Sequence, residues 1–141
     1  MSGTLSLHLL ALGIWIGVVA AEFVIEFDGM KDEASLIKAA KLHYATDLWI
    51  EVPAFSAVLI TGLLMLEADH LSGVFLFKII FAVLAIFFNI ICVYAVAKRR
   101  KFALRGDAAG MKSTDRLMRF GGLIIPTFLI AFALSIYILL N

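Results

Sequence analysis

The stretch VFLFKIIFAVLAIFFNIICVYAVA, from Val74 to Ala97, decides the fold class. It is long enough to cross the ~30 Å hydrocarbon core of a bilayer as a helix, and Lys78 is its only charged residue. Three comparable apolar stretches run from about Leu5 to Phe27, from Leu48 to Leu66 and from Gly121 to Leu140. The 141-residue chain is 63% hydrophobic, whereas a soluble domain averages roughly half. The sequence therefore predicts an integral membrane protein.

The form of these stretches follows from the chemistry of lipid. Only helices and closed barrels satisfy every backbone polar group there, and barrel strands alternate in segments of ~10 residues. We therefore predict an all-α integral membrane fold, a four-transmembrane-helix bundle that forms a single domain over residues 1–141. The predicted helices cover about 5–27, 34–66, 74–97 and 120–140. Pro53 and Pro126 each remove a backbone hydrogen bond, so we expect kinks in the second and fourth helices.

The basic residues predict the orientation of the bundle. All but one of the twelve Lys and Arg residues fall between the first and second apolar stretches or between the third and fourth, the exception being Lys78. Positive charge marks cytoplasmic loops, so we expect both termini outside and a multi-pass protein of the inner (plasma) membrane. The longest connection, 98–119, is basic. We expect it to attract anionic lipid headgroups and predict no nucleic-acid binding, because the chain contains no nucleic-acid-reading module.

Polar and amphipathic residues inside the predicted helices form two stripes. The stripe on helix 1 contains His8, Trp15, Glu22 and Glu26, and the stripe on helix 2 contains His43, Asp47 and Glu51. At 100° per residue, the first set stays within about 40° and the second drifts by about 80°. Helix 2 enters from the cytoplasmic side, so Glu22 and Glu26 lie at the depth of His43 and Asp47. The stripes are placed to converge in the inner half of the membrane.

Four carboxylates close together in lipid need cations or protons. A charge at the centre of a membrane helix costs ~2.5–3.5 kcal/mol, and repulsion between carboxylates adds to this cost. Carboxylate and imidazole on facing helices bind di-iron and di-manganese centres in four-helix proteins. This ligand type suits Fe, Mn or Zn better than copper(I). We predict a transition-metal site between helices 1 and 2, with candidate ligands Glu22, Glu26, His43, Asp47 and Glu51.

Two other interpretations of these residues stay open. The deeper carboxylates are also typical of a proton path. Glu26 and His43 are near the headgroup boundary and could pair with Lys38 or Lys41. Asn89 and Tyr94 on helix 3 are expected at the same depth, either supporting the carboxylates or bonding across helices.

A second polar group is predicted near the outer surface. It contains His8, Lys78, Glu67, Asp69 and His70. Lys78 either extends its ammonium group to the interface or serves a site. His8, followed two turns later by Trp15, is either an interfacial pair or a haem ligand with an aromatic wall, and the spacing leaves both open.

Short motifs in order along all four helices carry a family resemblance. They are Leu7-His8 followed by Trp15 and Gly17, Pro53 ahead of Thr61-Gly62-Leu63-Leu64, Phe77-Lys78-Ile79, and Pro126. In these the chain resembles the four-helix bacterial protoporphyrinogen oxidase family and the membrane domain of copper-resistance D proteins. The resemblance implies that His8 and Lys78 take part in haem b binding and in electron withdrawal from a porphyrin, with Trp15 as a wall. The acidic stripes are additional to the family pattern.

Three hypotheses follow for function. The leading one is an integral membrane metal-binding protein, of the copper-resistance or haem-oxidase type, that handles a metal or uses it in redox chemistry. The second is a haem b-binding membrane oxidoreductase of the protoporphyrinogen oxidase type. The third is a small structural subunit of a membrane complex, in which carboxylates hold helices together. The expected partners are the lipid bilayer, further copies of the chain in a homo-oligomer and, under the third hypothesis, a membrane-complex partner.

Overall fold

The computed structural model describes residues 3–140, without the side chains of Ala68 and Asp69. Asp69, predicted in the outer group, therefore has its side chain outside the described part. The elements are α1 (Gly3–Gly29), α2 (Glu33–Thr46), a π-helical segment (Asp47–Glu51), α3 (Val52–Leu64), a 3-10 turn (Ala68–Leu71), α4 (Gly73–Ala103), α5 (Ala108–Lys112), α6 (Asp115–Met118), a second 3-10 segment (Arg119–Leu123) and α7 (Ile124–Leu140). Residues 3–140 contain no strand, which confirms the all-α class.

Four helical stretches are long and apolar enough to cross a membrane. These four spans are Gly3–Gly29, Glu33–Leu64, Gly73–Ala103 and Ala108–Leu140. Large apolar side chains cover their outer faces, and Phe27, Leu64 and Leu139 are each more than two-thirds exposed. Apolar surface on this scale is stable against lipid and not against water. The chain is a multi-pass membrane protein built as a four-helix bundle, as predicted.

The second span begins where the sequence indicates. The Asp32 side chain caps α2 by accepting a hydrogen bond of 2.8 Å from the backbone N–H of Ser35. That bond stabilises the ionised carboxylate and holds the pKa of Asp32 below its usual value. An acidic cap also suits the positive end of the helix dipole.

The prediction that residues 98–119 form a connection outside the helices is wrong for more than half of the segment, which is helical. The third span continues six residues beyond Ala97, to Ala103, and α5 and α6 occupy most of the remainder. Lys and Arg are good helix formers, so a basic sequence does not stop a helix. The break comes at Gly106, whose φ of 66° lies in the left-handed region that favours glycine.

The helix α5 is attached to the inner end of the bundle. Its cap, the Asp107 side chain, accepts a hydrogen bond of 2.8 Å from the backbone N–H of Gly110. Met111 is 1% exposed and packs in a small apolar cluster with Ala40 of α2 and Ala103 of α4. The segment after α4 therefore lies against α2, one of the two helices that carry the polar stripes.

The two prolines act differently from the prediction of two simple kinks. Pro53 is preceded by the π-helical segment, in which the backbone N–H of Val52 bonds to the carbonyl of Asp47. A π turn is a usual way for a helix to absorb an interrupted hydrogen-bond ladder. Pro126 lies in the first turn of α7, where a missing N–H costs no intrahelical bond.

Helix packing brings the inner halves of three spans together. The α1 helix packs on α2 and α3, while α4 packs on α7 and α2. At the inner end of α1, Gly29 lies so close to α2 that a Cβ there would be 2.6 Å from the Cβ of Ala39. This close approach holds the polar stripe of α1 against that of α2.

Candidate metal centre

Three buried side chains form the centre of the polar cluster. Glu22 of α1, His43 of α2 and Asp47 of the π segment offer ligand atoms that all lie within 4.8 Å of one another. The His43 Nε2 atom is 3.6 Å from Glu22 Oε2 and 3.4 Å from Asp47 Oδ1. None of the three residues is more than 5% exposed. This group has the ligand types and the spacing to hold a metal ion.

The π segment explains how one helix face supplies several of these groups. In a regular α-helix, residues i and i+8 are misaligned by about 80°. A π turn holds more residues per turn, so a four-residue step across it rotates through a smaller angle. His43, Asp47 and Glu51 consequently all stay on the buried face, with exposures of 4%, 1% and 2%.

The other nitrogen of the imidazole is held by a carboxylate. The His43 Nδ1 atom is 2.6 Å from Glu26 Oε1, and Arg99 of α4 donates from Nη1 to Glu26 Oε2 at 2.5 Å. With Glu26 ionised, the proton of a neutral imidazole lies on Nδ1, and the lone pair of Nε2 then faces Glu22 and Asp47. Metal-binding histidines commonly have their second nitrogen held in this way.

Glu22 is oriented by a second contact. The Thr46 hydroxyl donates to Glu22 Oε1 at 2.7 Å, which leaves Oε2 directed toward His43. Asp47 has no such support: among the described residues, neither of its carboxylate oxygens accepts a hydrogen bond. A buried carboxylate without donors beside an imidazole lone pair requires a cation or a proton between them.

A cleft of about 530 Å³ leads to this group. Glu22, His43 and Glu51 line one part of it, together with Cys92 of α4 and Arg99. Cys92 is a free thiol and is buried, as expected for a small apolar side chain. Glu51 interacts with Asp47, so it offers a further carboxylate to an ion bound by the three central side chains.

The structure thus brings together all five residues predicted as metal ligands. They differ in whether they belong to the central group, line the cleft or bond to the imidazole. Glu22, His43 and Asp47 form the group that could hold an ion, Glu51 lines the adjoining cleft, and Glu26 bonds to the other nitrogen of the imidazole. The alternative pairing of Glu26 or His43 with Lys38 or Lys41 is wrong. Glu26 and His43 bond to each other, and Arg99 supplies the positive charge.

The residues predicted for haem binding lie elsewhere. His8 Nδ1 is 2.8 Å from the Thr61 hydroxyl oxygen, and the Lys78 ammonium lies over the ring of Phe75. Trp15 is 3% exposed and belongs to the apolar core of the bundle.

The indole N–H of Trp15 donates to Asn89 Oδ1 at 3.0 Å, and its ring contacts Phe55 and Phe128. Asn89 therefore bonds across helices, and its side chain also interacts with the carboxylate of Glu51, in keeping with both of its predicted roles. Tyr94 is 64% exposed and does not support the carboxylates.

Sequence reasoning missed Arg99 and Thr46. Arg99 falls in the predicted basic connection, although it continues the buried face of α4 at helical spacing through Asn89, Cys92 and Val96. Extending that periodicity past Ala97 would have found it. Thr46 lies three residues after His43, one turn along the same helix, and a neutral hydroxyl carries no comparable signal in the sequence.

No family model, curated protein or solved structure matches the chain. The relation to the oxidase and copper-resistance families therefore stays a prediction from short motifs.

Proposed function

We propose that the protein binds one divalent transition-metal ion in the inner half of the membrane. Glu22, His43 and Asp47 are the ligands, and Glu51 or water completes the coordination. Iron, manganese or zinc suits this mixed oxygen and nitrogen set. The protein then belongs to the class of membrane metal-handling or metal-redox proteins.

The spacing around His43 Nε2 is the observation that carries this proposal. An N–H···O hydrogen bond spans 2.7–3.2 Å, so the distances of 3.4 and 3.6 Å to the two carboxylates are too long for a shared proton. Two ligands at ~2.0–2.1 Å from a tetrahedral ion are separated by about 3.3–3.4 Å. The distances from His43 Nε2 to the two carboxylates therefore match the edge of a coordination shell better than they match hydrogen bonds to the imidazole.

The charge balance supports the same assignment. Four carboxylates, from Glu22, Glu26, Asp47 and Glu51, surround one histidine and one arginine. Arg99 offsets only Glu26, which it contacts. A divalent ion offsets two further carboxylates at the point where they converge, and it removes the cost of burying them ionised.

The test is metal analysis of detergent-purified protein together with an optical spectrum. We expect about one Mn²⁺ or Zn²⁺ per chain after loading, and no Soret band. The double variant Glu22→Gln/Asp47→Asn should lose the metal, because both anionic ligands become neutral amides of the same shape. Glu33→Gln is the matched control, since Glu33 is an exposed carboxylate at the start of α2.

Two outcomes would contradict the proposal. Metal retained by the double variant would place the ion elsewhere. A Soret band that survives in the double variant and disappears in His8→Gln would favour the haem b hypothesis.

A further inference from the structure

The cleft beside the site has a definite direction across the bundle. Near the site it is lined by Glu22, His43 and Glu51, and its other end is lined by residues of the two basic connections. Those residues are Met30, Asp115, Met118 and Arg119, and Leu36 near the start of α2 lies beside them. We call the side of the bundle that carries these connections the basic face. The cleft runs from the basic face to the ligand group.

The opposite end of the site is closed. Trp15 lies about two helical turns from Glu22, toward the N-terminus of α1 and on the same stripe. Its side chain is 3% exposed. Its indole N–H bonds to Asn89, which is fully buried, and the rings of Phe55 and Phe128 pack against it. An ion leaving toward the outer half would meet this apolar, hydrogen-bonded layer, and crossing it without water is costly.

The size and charge of the cleft suit a hydrated cation. Six waters occupy about 180 Å³ at about 30 Å³ each, which fits within a cleft of about 530 Å³. The carboxylates of Glu22 and Glu51 at its inner end create a negative potential, and apolar walls concentrate that potential along the cleft.

We propose that the cleft is the route by which a hydrated divalent cation reaches and leaves Glu22, His43 and Asp47, and that Trp15 and Asn89 close the other end. Exchange is therefore one-sided, from the basic face only. The ion keeps its waters along the apolar walls and exchanges them for carboxylate and imidazole at the end. This inference rests on the proposed function.

A route and a ligand have different kinetic signatures. Obstructing a route slows association and dissociation by the same factor and leaves the dissociation constant unchanged, whereas altering a ligand changes the constant itself. Gly122 allows this test, because it lines the cleft and a side chain there would meet nothing within 4 Å. Gly17, on the exposed side of α1, has equally open space and gives the matched control.

The experiment uses Gly122→Cys and Gly17→Cys, each in a Cys92→Ser background, so that each protein has one thiol. The folded proteins are labelled with a bulky maleimide, and Mn²⁺ association and dissociation are measured by stopped flow before and after labelling. We expect the adduct at position 122 to slow both rates by about tenfold, within the one to three decades over which association rates vary among variants of one site. The adduct at position 17 should change neither rate.

The outcomes separate this inference from the proposed function. If Mn²⁺ binds and the thiol at position 122 cannot be labelled, or its adduct leaves both rates unchanged, the route is wrong and the site stands. A changed dissociation constant with unequal rate changes would place the adduct in the site and would also contradict the route. If Mn²⁺ does not bind before labelling, the proposed function fails and this inference fails with it.

Discussion

The inner and outer polar groups of this bundle contain similar residues in different arrangements. At the inner group, three spans direct Glu22, His43, Asp47 and Arg99 toward one another, and carboxylates outnumber cations. At the outer group, His8 contacts the neutral hydroxyl of Thr61, and Lys78 lies over an aromatic ring. His8 and Lys78 thus each have a neutral partner nearby, whereas the inner residues leave excess negative charge. The difference indicates that a candidate metal site requires polar residues that converge at one depth as well as their presence in a membrane helix.

The largest expected effect compares the two histidines. His43→Gln removes a metal ligand and should lower Mn²⁺ or Zn²⁺ affinity by more than the ~10–100-fold typical of losing a partner of a ligand. His8→Gln should leave the affinity unchanged, because His8 contacts Thr61 and not the carboxylates. Isothermal titration of both variants in detergent measures this contrast. Equal losses in the two variants would remove the distinction between the inner and outer groups.

An intermediate effect is expected at the carboxylate behind His43. Glu26→Gln weakens the hold on the Nδ1 proton and should lower metal affinity by about 10–100-fold. Arg99 would then be buried without its carboxylate, which is itself destabilising.

The double variant Glu26→Gln/Arg99→Gln separates the two effects. Removing both charges should restore much of the thermal stability in detergent, while the affinity stays low. Recovery of affinity along with stability would show that Glu26 acts only through the fold.

The smallest effect on metal affinity is expected from Gly29→Ala, which tests how closely α1 and α2 must approach. Its methyl group would overlap the Cβ of Ala39, and overpacking of this kind costs about 1–3 kcal/mol. We expect a lower unfolding temperature in detergent and a modest loss of affinity, since the ligands remain. Gly17→Ala, in open space, should change neither. An unfolding temperature for Gly29→Ala equal to that of Gly17→Ala would mean that α1 and α2 can move apart at no cost to accommodate the methyl group.

The fold was predictable because lipid imposes a length and a composition on each span. The convergence of Glu22, His43 and Asp47 was predictable because both their helical spacing and their depth in the membrane can be inferred from the sequence. Arg99 was not found, because positive charge after an apolar stretch is typical of a loop, and the continuation of α4 to Ala103 depends on packing. The π segment was not found either, since Pro53 indicates an interruption without specifying its form.

The π segment between Asp47 and Glu51 also has an evolutionary consequence. It is equivalent to a single-residue insertion into an α-helix, because the wider turn holds one extra residue while the helix on either side keeps its orientation. Deleting one residue there, for example the exposed Trp49, would restore a regular α-helix and leave the face that α3 presents to α1 nearly unchanged. Asp47 and Glu51, at the two ends of the segment, would shift relative to one another. A one-codon change at this point can therefore alter the polar cluster and preserve the rest of the bundle.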